Sequence, residues 1–595
     1  MNQKFSVVLI ARNEEHKLPY LIESLTEFKS RGGEILLLDT GSTDKTAEIA
    51  RQLGCNVHEV GEKFLITLTK EQAEKINTEY CRDPLMNSIV REGDKIFDYS
   101  SARNYIAEFA TTDMIATPDC DEVYTKFDID KIEEAINNGA DQLEYNFVFS
   151  HDANGNELIK FRHCKFYNHK KLKWSGIIHE TLTPIKSGEN IIPVFLNENI
   201  IKLEHWQNEQ TNRTHYLTGL AYDCFMNPNN DRNAHYFGRE LMYRGYYLSA
   251  IAQLKKHIDM KMWPTERSQS MIFVGDCYMA LGDKDEAFKY YNMAIEIEGN
   301  RREPFMKMAE YYFRQGKADQ VISYLNAALS IKGGDFYANY QPYYENLPHE
   351  LMYWALWQKE AHTAAKAHFD VCMGYQPFNS KYLFDMRFFY DLPKISFIIP
   401  TLGREEGLKK CKDSIEKLNY PQDKIEIITE FDSFENRVGV PNLLKRGLQT
   451  STGDWIVYAS NDIEFEPDSI ISALKTAWDN SKKFMAFNTG AVSEDKGNIC
   501  EHFMIRHDLI EKLGGEIFDI EFHHVGVDNL LHAKLERMNQ FMRCERAVVK
   551  HYHFSRTGEE MDEVYKIAWN EEDVRKDREL LAKKLLELNK PNTNR

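Results

Sequence analysis

Cysteine is scarce in this chain: ten residues in 595, scattered, with no Cys-x-x-Cys pair. That argues against a cysteine zinc site and against a disulfide framework, and the simplest expectation is reduced thiols in the cytosol. Long apolar runs are missing too. No stretch approaches the roughly 20 apolar residues a membrane helix needs. Met1-Asn2-Gln3-Lys4 runs straight into a strand-like segment, without the pattern of a signal peptide. Positive charge is outweighed, 74 Lys and Arg against 92 Asp and Glu, a net charge of -18. Broad, non-specific binding to nucleic acid is disfavoured, although a local basic groove is not. What the chain does have is apolar content, 43% hydrophobic and 12% aromatic. Its length exceeds what one core can serve, so roughly three or four domains are expected.

The N-terminal third alternates short β-branched runs with helical patterns. Phe5 to Ile10 reads as a buried strand, followed by Ala11-Arg12-Asn13-Glu14-Glu15 and a helix with Leu18, Leu21, Ile22 and Leu25 on one face. Glu34 to Asp39 is a second strand ending in an acid, then come the turn Thr40 to Asp44 and a helix from Thr46. Strand, helix, strand, helix predicts a parallel sheet with ligands at the carboxyl ends of its strands. Asp39 sits at such an end, as a ligand for a base or ribose or as a turn or N-cap residue. Residues 61 to 98 break the pattern: Lys63 to Tyr80 looks partly helical, Cys81 to Lys95 is polar and irregular, and the stretch reads as an insertion or mobile loop over the site. Arg103, in the helix that follows, would contact diphosphate or form a surface salt bridge.

Met114 to Val123 reaches Pro118 and then presents Asp119 and Asp121 one residue apart. Residues two apart in a strand point to one side, so both carboxylates would face one cation. Hard oxygen ligands suit Mg²⁺ or Mn²⁺ rather than Zn²⁺. Such an ion neutralises a departing diphosphate. An isolated Asp-x-Asp is equally the mark of a solvated turn.

The ordered set Asn13-Glu14-Glu15, Leu38 to Thr46, Ala102-Arg103-Asn104 and Asp119-Cys120-Asp121-Glu122 resembles family 2 glycosyltransferases of the GT-A fold. The resemblance implies that Asp39 binds the nucleotide, with Asn13 and Arg103 beside the donor, and that Asp119 and Asp121 form the metal motif. Cys120 departs from the small residue usual between the acids. Lys173 to Glu180 resembles the Ile-His-Glu segment of a subgroup that includes lipopolysaccharide-core and peptide S-glycosyltransferases. An inverting transferase needs a base for the acceptor proton, Glu180 first and His179 second. Leu203-Glu204-His205-Trp206 resembles the family's late His, so His205, 84 positions after Asp121, would complete the metal shell. Trp174 and Trp206 would stack on a sugar or base, or fill the core.

From about residue 232 to 380 the period changes. Gly275, Tyr278, Gly282, Ala287, Tyr291 and Ala294 recur 34 residues later as Ala309, Tyr312, Gly316, Val321, Leu325 and Ala328. A helix-turn-helix repeat has this period, and the segment resembles the tetratricopeptide repeat. Weaker copies place Gly238 with Leu254 and Tyr353 with Phe369. Such arrays bind peptides or other subunits, or act as spacers. Tyr337 to Pro348 interrupts the repeat.

The C-terminal third restarts the strand-helix pattern. Lys424 to Asp432 parallels the strand ending at Asp39, which makes Asp432 the counterpart of Asp39. Thr452 to Glu464 parallels the Asp119 stretch: Asp113 precedes Asp121 by 8, and Asp454 precedes Asp462 by 8. Asp462 is then the counterpart of Asp121, Ser460 replaces Asp119, and Glu464 would supply the missing carboxylate. Gly526-Val527-Asp528-Asn529 resembles the family's Glu-Asp base motif with Val527 in place of Glu, leaving Asp528 as base. His551 follows Asp462 by 89 positions and would be the second late His.

The reading is therefore α/β GT-A (Rossmann-like) nucleotide-sugar-binding domains at residues 1–230 and 391–570. An all-α tetratricopeptide-like solenoid at 231–390 lies between them, and 571–595 is a charged, solvated helical tail. The resemblance implies a cytoplasmic, Mn²⁺- or Mg²⁺-dependent inverting glycosyltransferase. Its donor would be a nucleoside-diphosphate sugar (a UDP-sugar first) and its acceptor a glycan, peptide or modified nucleic acid. The repeats would bind a protein partner or a second copy. The alternatives are one catalytic domain with a binding helper, or a repeat-based interaction protein with inactive transferase domains.

Overall fold

The structure, a computed structural model, describes residues 4–84, 86–151, 157–205, 214–333, 339–490, 500–553, 566–567 and 570–589. The chain forms two compact units, Met1–Tyr344 and Glu345–Arg595.

The first unit opens with β1 (Phe5–Ala11), β2 (Ile35–Asp39), β3 (Asn56–Glu59), β4 (Leu65–Thr67), β5 (Lys95–Phe97), β6 (Met114–Ala116) and β7 (Glu122–Phe127). Next come β8 (Gln142–His151), β9 (Glu157–Asn168), β10 (Leu172–Ser175), β11 (Thr181–Pro184), β12 (Pro193–Phe195) and β13 (Ile201–His205). The main sheet runs β3-β2-β1-β6-β9-β8-β13-β7, with β12 beside β8. β1 lies parallel to β2 and β6, and β13 parallel to β8; β9 is antiparallel to β6 and β8, and β13 to β7. β1 and β2 read as unbroken apolar runs because both faces are covered. Val7, Leu9 and Leu37 join one core, whereas Val8, Leu36 and Leu38 join the other.

Residues 61–98 are not a mobile loop. They form a β4–β5 hairpin and the helix Lys70–Tyr80. Leu68, Ile76 and Ile96 share one core with Phe237, Leu254 and Met271 of the helical repeats. That shared core explains why the helices from Thr214 to Ser330 belong to the same compact unit as the sheet. Within the repeats, a Cβ on Gly275 would meet the Tyr291 ring at 2.4 Å, so the small residue sets how closely the paired helices approach. Gly282 ends its helix at φ 86°, a left-handed cap that suits glycine. In the interruption, Tyr343 donates to Glu310 (2.7 Å) and Tyr344 to Glu303 (3.1 Å); Tyr337 lies outside the described residues.

The second unit starts with helices Leu347–Gln358, His362–Tyr375 and Ser380–Phe389. Their Tyr353 and Phe369 share a core with Ile395 and Phe397 of the following sheet. Its strands are β14 (Ile395–Thr401), β15 (Ile425–Phe431), β16 (Trp455–Tyr458), β17 (Ile463–Phe465), β18 (Phe484–Asn488), β19 (Phe503–Arg506) and β20 (Arg543–His551), ordered β15-β14-β16-β19-β18-β20-β17. Taken in chain order, β14 to β20 repeat the positions and directions of β1, β2, β6, β7, β8, β9 and β13.

The final helix, Glu571–Leu588, is charged but is not a solvated tail. Leu580, Leu581 and Leu585 pack on the core around Phe518 and Leu531. Asp577, 2% exposed, accepts the backbone N–H groups of His523, His524 and Val525.

Candidate functional site

The first site gathers at the carboxyl ends of β1, β2 and β6. Asn13 adopts a left-handed φ of 59°. Its Oδ1 accepts from the Thr43 amide (2.8 Å), while its own N–H donates to Ser42 (3.0 Å). Asp39 is buried; its Oδ1 accepts the amides of Gly41 and Ser42, both at 2.9 Å, and its Oδ2 has no hydrogen-bond partner among the described residues. The turn role and an available carboxylate oxygen thus coexist in one side chain.

Asp119 and Asp121 do not follow strand alternation, because residues 117–121 form a turn between β6 and β7. The two acids have different partners. Asp119 accepts from Arg103 at 2.6 Å and from the Lys165 ammonium through its other oxygen. Burial would raise this carboxyl, but Lys165 and Arg103 outweigh burial and hold it well below the usual carboxylate range. Lys165 also donates to Glu122 (2.6 Å), and both are buried. Asp121 instead faces His205: its Oδ2 lies 3.3 Å from Nε2. The His205 ring stacks on Phe149 at 5.3 Å, and the Asp121 hydrogen bond raises its pKa. Lys17 is 3.9 Å from the same Asp121 oxygen. Cys120 turns inward, its thiol donating to the Ile10 carbonyl at 3.5 Å. Glu14, in the field of Asp121 and Asp119, is pushed by burial to about 7.

The helix Tyr99–Ala107 connects the acids to the Ile-His-Glu loop. Arg103 donates through Nε to Glu180 (3.0 Å) while its NH2 holds Asp119. It is 5% exposed, packs 5.3 Å from the Trp174 ring, and its NH1 has no hydrogen-bond partner among the described residues. Asn104 clamps the backbone of Trp174 twice, at 2.8 and 2.9 Å. Trp174 is a buried core residue set edge-on to Tyr167 rather than a stacking platform; Trp206 lies outside the described residues. His179, at φ 55°, stacks on Tyr236 at 4.2 Å. It lines a cleft of about 680 Å³ with Ser175, Gly176, Asn227, Asp231 and Arg232. The cleft therefore opens beside the neighbour of Glu180.

In the second unit, Asp462 lies 3.5 Å from His551 Nε2 and 3.6 Å from Arg404, and accepts from the Ser460 hydroxyl. Glu501 lies 3.7 Å from Nδ1 of the same His551, and His502 stands 4.8 Å from it ring to ring. Glu464 is placed elsewhere: it pairs in register with Lys550 and acts on Lys410. Asp528 begins the helix Val527–Arg537, and burial and then Glu501 raise its pKa. Tyr458 sits in the combined field of Asp462, Asp528 and Glu501. Asp432 accepts the amides of Val438 (2.9 Å) and Gly439 (3.1 Å). It is displaced by one residue from Asp39, because Ala11 pairs with Asp39 whereas Thr401, its register equivalent, pairs with Phe431.

Sequence reasoning missed Lys165, Glu501 and His502. Lys165 was detectable only as a charge beside the aromatic pair Phe166-Tyr167 near the end of β9, where a buried ion pair is the usual remedy. Glu501 and His502 immediately precede the apolar β19, which turns them toward the same strand ends.

Residues 6–61 match the profile for glycosyl transferase family 2, and residues 268–301 match a tetratricopeptide repeat. The family 2 glycosyltransferase match thus lies at the N-terminus, over β1 to β3. A stretch of 58 residues is 47% identical to 4,4'-diaponeurosporenoate glycosyltransferase of Staphylococcus haemolyticus (strain JCSC1435), covering 10% of this chain and 15% of that protein. Among solved structures, MamA aligns at 19% identity over 28% of this chain and 84% of its own, with a TM-score of 0.23. The mannosyltransferase PcManGT from Pyrobaculum calidifontis in complex with GDP-Man and Mn²⁺ aligns at 17% identity, over 32% of this chain and 67% of its own, with a TM-score of 0.23.

Proposed function

We propose that the N-terminal domain transfers a sugar, with inversion, from a nucleoside-diphosphate sugar (a UDP-sugar first) to a macromolecular acceptor. The observation that carries this reading is the arrangement around Arg103. One buried guanidinium joins Asp119 of the acid turn to Glu180 of the loop, while Asp121 faces His205. Asp39 keeps one carboxylate oxygen for the ribose or base. Asp121 and His205 fit a Mn²⁺ or Mg²⁺ ion, since a carboxylate oxygen and an imidazole Nε2 already converge at 3.3 Å. Such an ion supplies charge neutralisation for the diphosphate. Both oxygens of Asp119 are engaged by cations, which makes Asp119 a support for the turn. Glu180 takes the acceptor proton, and Arg103 orients its carboxylate for that step. The acceptor hydroxyl enters by the cleft at His179, and the helical repeats carry the rest of the acceptor or a partner.

In the same reading the second unit is a GT-A domain with Asp462 and His551 as metal ligands and Asp528 as base, adding a second sugar. Its sheet repeats the strand order of the first, which supports the assignment. A second reading, favoured by Ser460 at the place of Asp119, makes this unit a binding helper. The test is hydrolysis of a panel of nucleotide-sugars with Mn²⁺ by the wild type, Asp121→Asn and Asp462→Asn. Loss of a different donor in each variant supports two active sites. Loss in Asp121→Asn alone supports the helper, and hydrolysis unaffected by either substitution overturns the assignment.

A further inference from the structure

We propose that the first helical layer of the repeats holds a first-row divalent cation of the zinc class between Asp231, His257 and Glu266. Ligand-capable atoms of these three side chains all lie within 4.8 Å of one another. Ligand atoms at about 2.0–2.2 Å from one tetrahedral ion are about 3.3–3.6 Å apart, so a closure of about 1 Å at most, within reach of side-chain rotation, completes the set. The residues come from three successive helices. Asp231 is the first residue of Asp231–Tyr243, His257 is in the last turn of Tyr247–Met260, and Glu266 is in the first turn of Pro264–Leu281. Because the middle helix runs back between the other two, one helix end and two helix starts meet at one place.

His257 is the observation that points to a ligand. It is fully buried, and neither of its ring nitrogens has a hydrogen-bond partner among the described residues. Buried imidazoles are ordinarily paired, and an unpaired nitrogen beside two carboxylates is the donor set of a metal site. Glu266 is 3% exposed, which places a carboxylate inside the layer beside His257. The nearby His235 is already engaged, its Nδ1 lying 2.7 Å from the Ser270 hydroxyl, and its ring is 5.3 Å from that of His257. Arg267 also acts on His257 and is the competing cation. One imidazole with two carboxylates suits Zn²⁺ over Mg²⁺. The site is separate from the Asp121 and Asp462 turns, and Asp231 lines the same cleft as His179, so an ion here would brace that wall.

The experiment uses the full chain carrying Asp121→Asn and Asp462→Asn, stripped with chelator and titrated with Zn²⁺ by calorimetry. The expected result is one equivalent bound, weakened at least about tenfold by His257→Gln and by the partly exposed Asp231→Asn, an effect no smaller than loss of an outer-shell partner. Cobalt substitution of the same protein should give ligand-field bands that disappear in Asp231→Asn. Should His257→Gln fail to fold, Asp231→Asn with an unchanged far-ultraviolet spectrum decides. Absence of binding, or binding indifferent to Asp231→Asn, overturns the site.

Discussion

The turn at Asp119–Asp121 and the turn at Ser460–Asp462 occupy equivalent places in two sheets of one topology, yet different chemistry holds them. In the first, two buried cations, Arg103 and Lys165, grip Asp119 and leave Asp121 to His205. In the second, the grip is absent with its acid: Asp462 meets His551 and Arg404, and a carboxylate and a second imidazole, Glu501 and His502, stand around the same histidine. The paired acid and late histidine follow from the shared strand order, since β13 and β20 return antiparallel beside β7 and β17. The surrounding charge does not. It comes from residues on other elements, and it makes one turn cation-rich and the other histidine-rich.

The largest expected effect breaks the comparison at its centre. Asp121→Asn should lower donor hydrolysis at the first site about 100- to 1,000-fold, the order set by losing one charge-stabilising group. Asp462→Asn should spare it, and rates on two donors read side by side give the answer. Next is Arg103→Ala, which removes the bond to Glu180 and leaves Asp119 held by Lys165 alone. A loss of about 1–3 kcal/mol is expected for removing these charge-assisted hydrogen bonds, read by denaturant unfolding. The corresponding measurement on Ser460→Ala should show under about 1 kcal/mol, because a lone hydroxyl to Asp462 is removed.

A pH experiment sharpens the contrast. Burial raises Glu14 from 4.5 to about 7. Below about pH 4.5 both folded and unfolded chains carry it protonated and it has no effect. As pH rises from 4.5 to 7, ionising it in the folded chain costs stability, up to roughly 3 kcal/mol. Glu14→Gln should therefore raise Tm above pH 7 in chelator and leave it unchanged at pH 4.5; an equal shift at both pH values would sink this account. A further test concerns the docked C-terminal helix. Asp577→Asn retains size but weakens charge-assisted acceptance of three amides, and a loss of about 1–3 kcal/mol is expected from the second unit in hydrogen exchange of residues 523–525.

Much of the candidate site was legible because it depends on local patterns. An apolar run followed by an acid identifies a strand end whichever way the sheet is ordered, as at Asp39, and the 34-residue spacing of Gly275 and its partners identifies a helix pair. Alternation failed at Asp119 and Asp121 because the chain turns there, and the register slip at Asp432 was invisible because one residue of offset changes no local pattern. Lys165 and Glu501 act across the sheet, on strands whose neighbours come from distant parts of the chain. The same holds for residues 61–98 and the last helix, polar in composition yet anchored by a few apolar side chains such as Ile76 and Leu581.

The sequence by itself thus determined the strands, the helix pairs and the chemical type of the groups at strand ends, because hydrophobic periodicity and residue chemistry are local properties. Only the tertiary structure decided which acid faces a histidine and which is locked by cations. The partners of such charged side chains depend on contacts of long sequence separation, such as Arg103 with Glu180 and Asp577 with the backbone N–H of His523, and no local pattern encodes them.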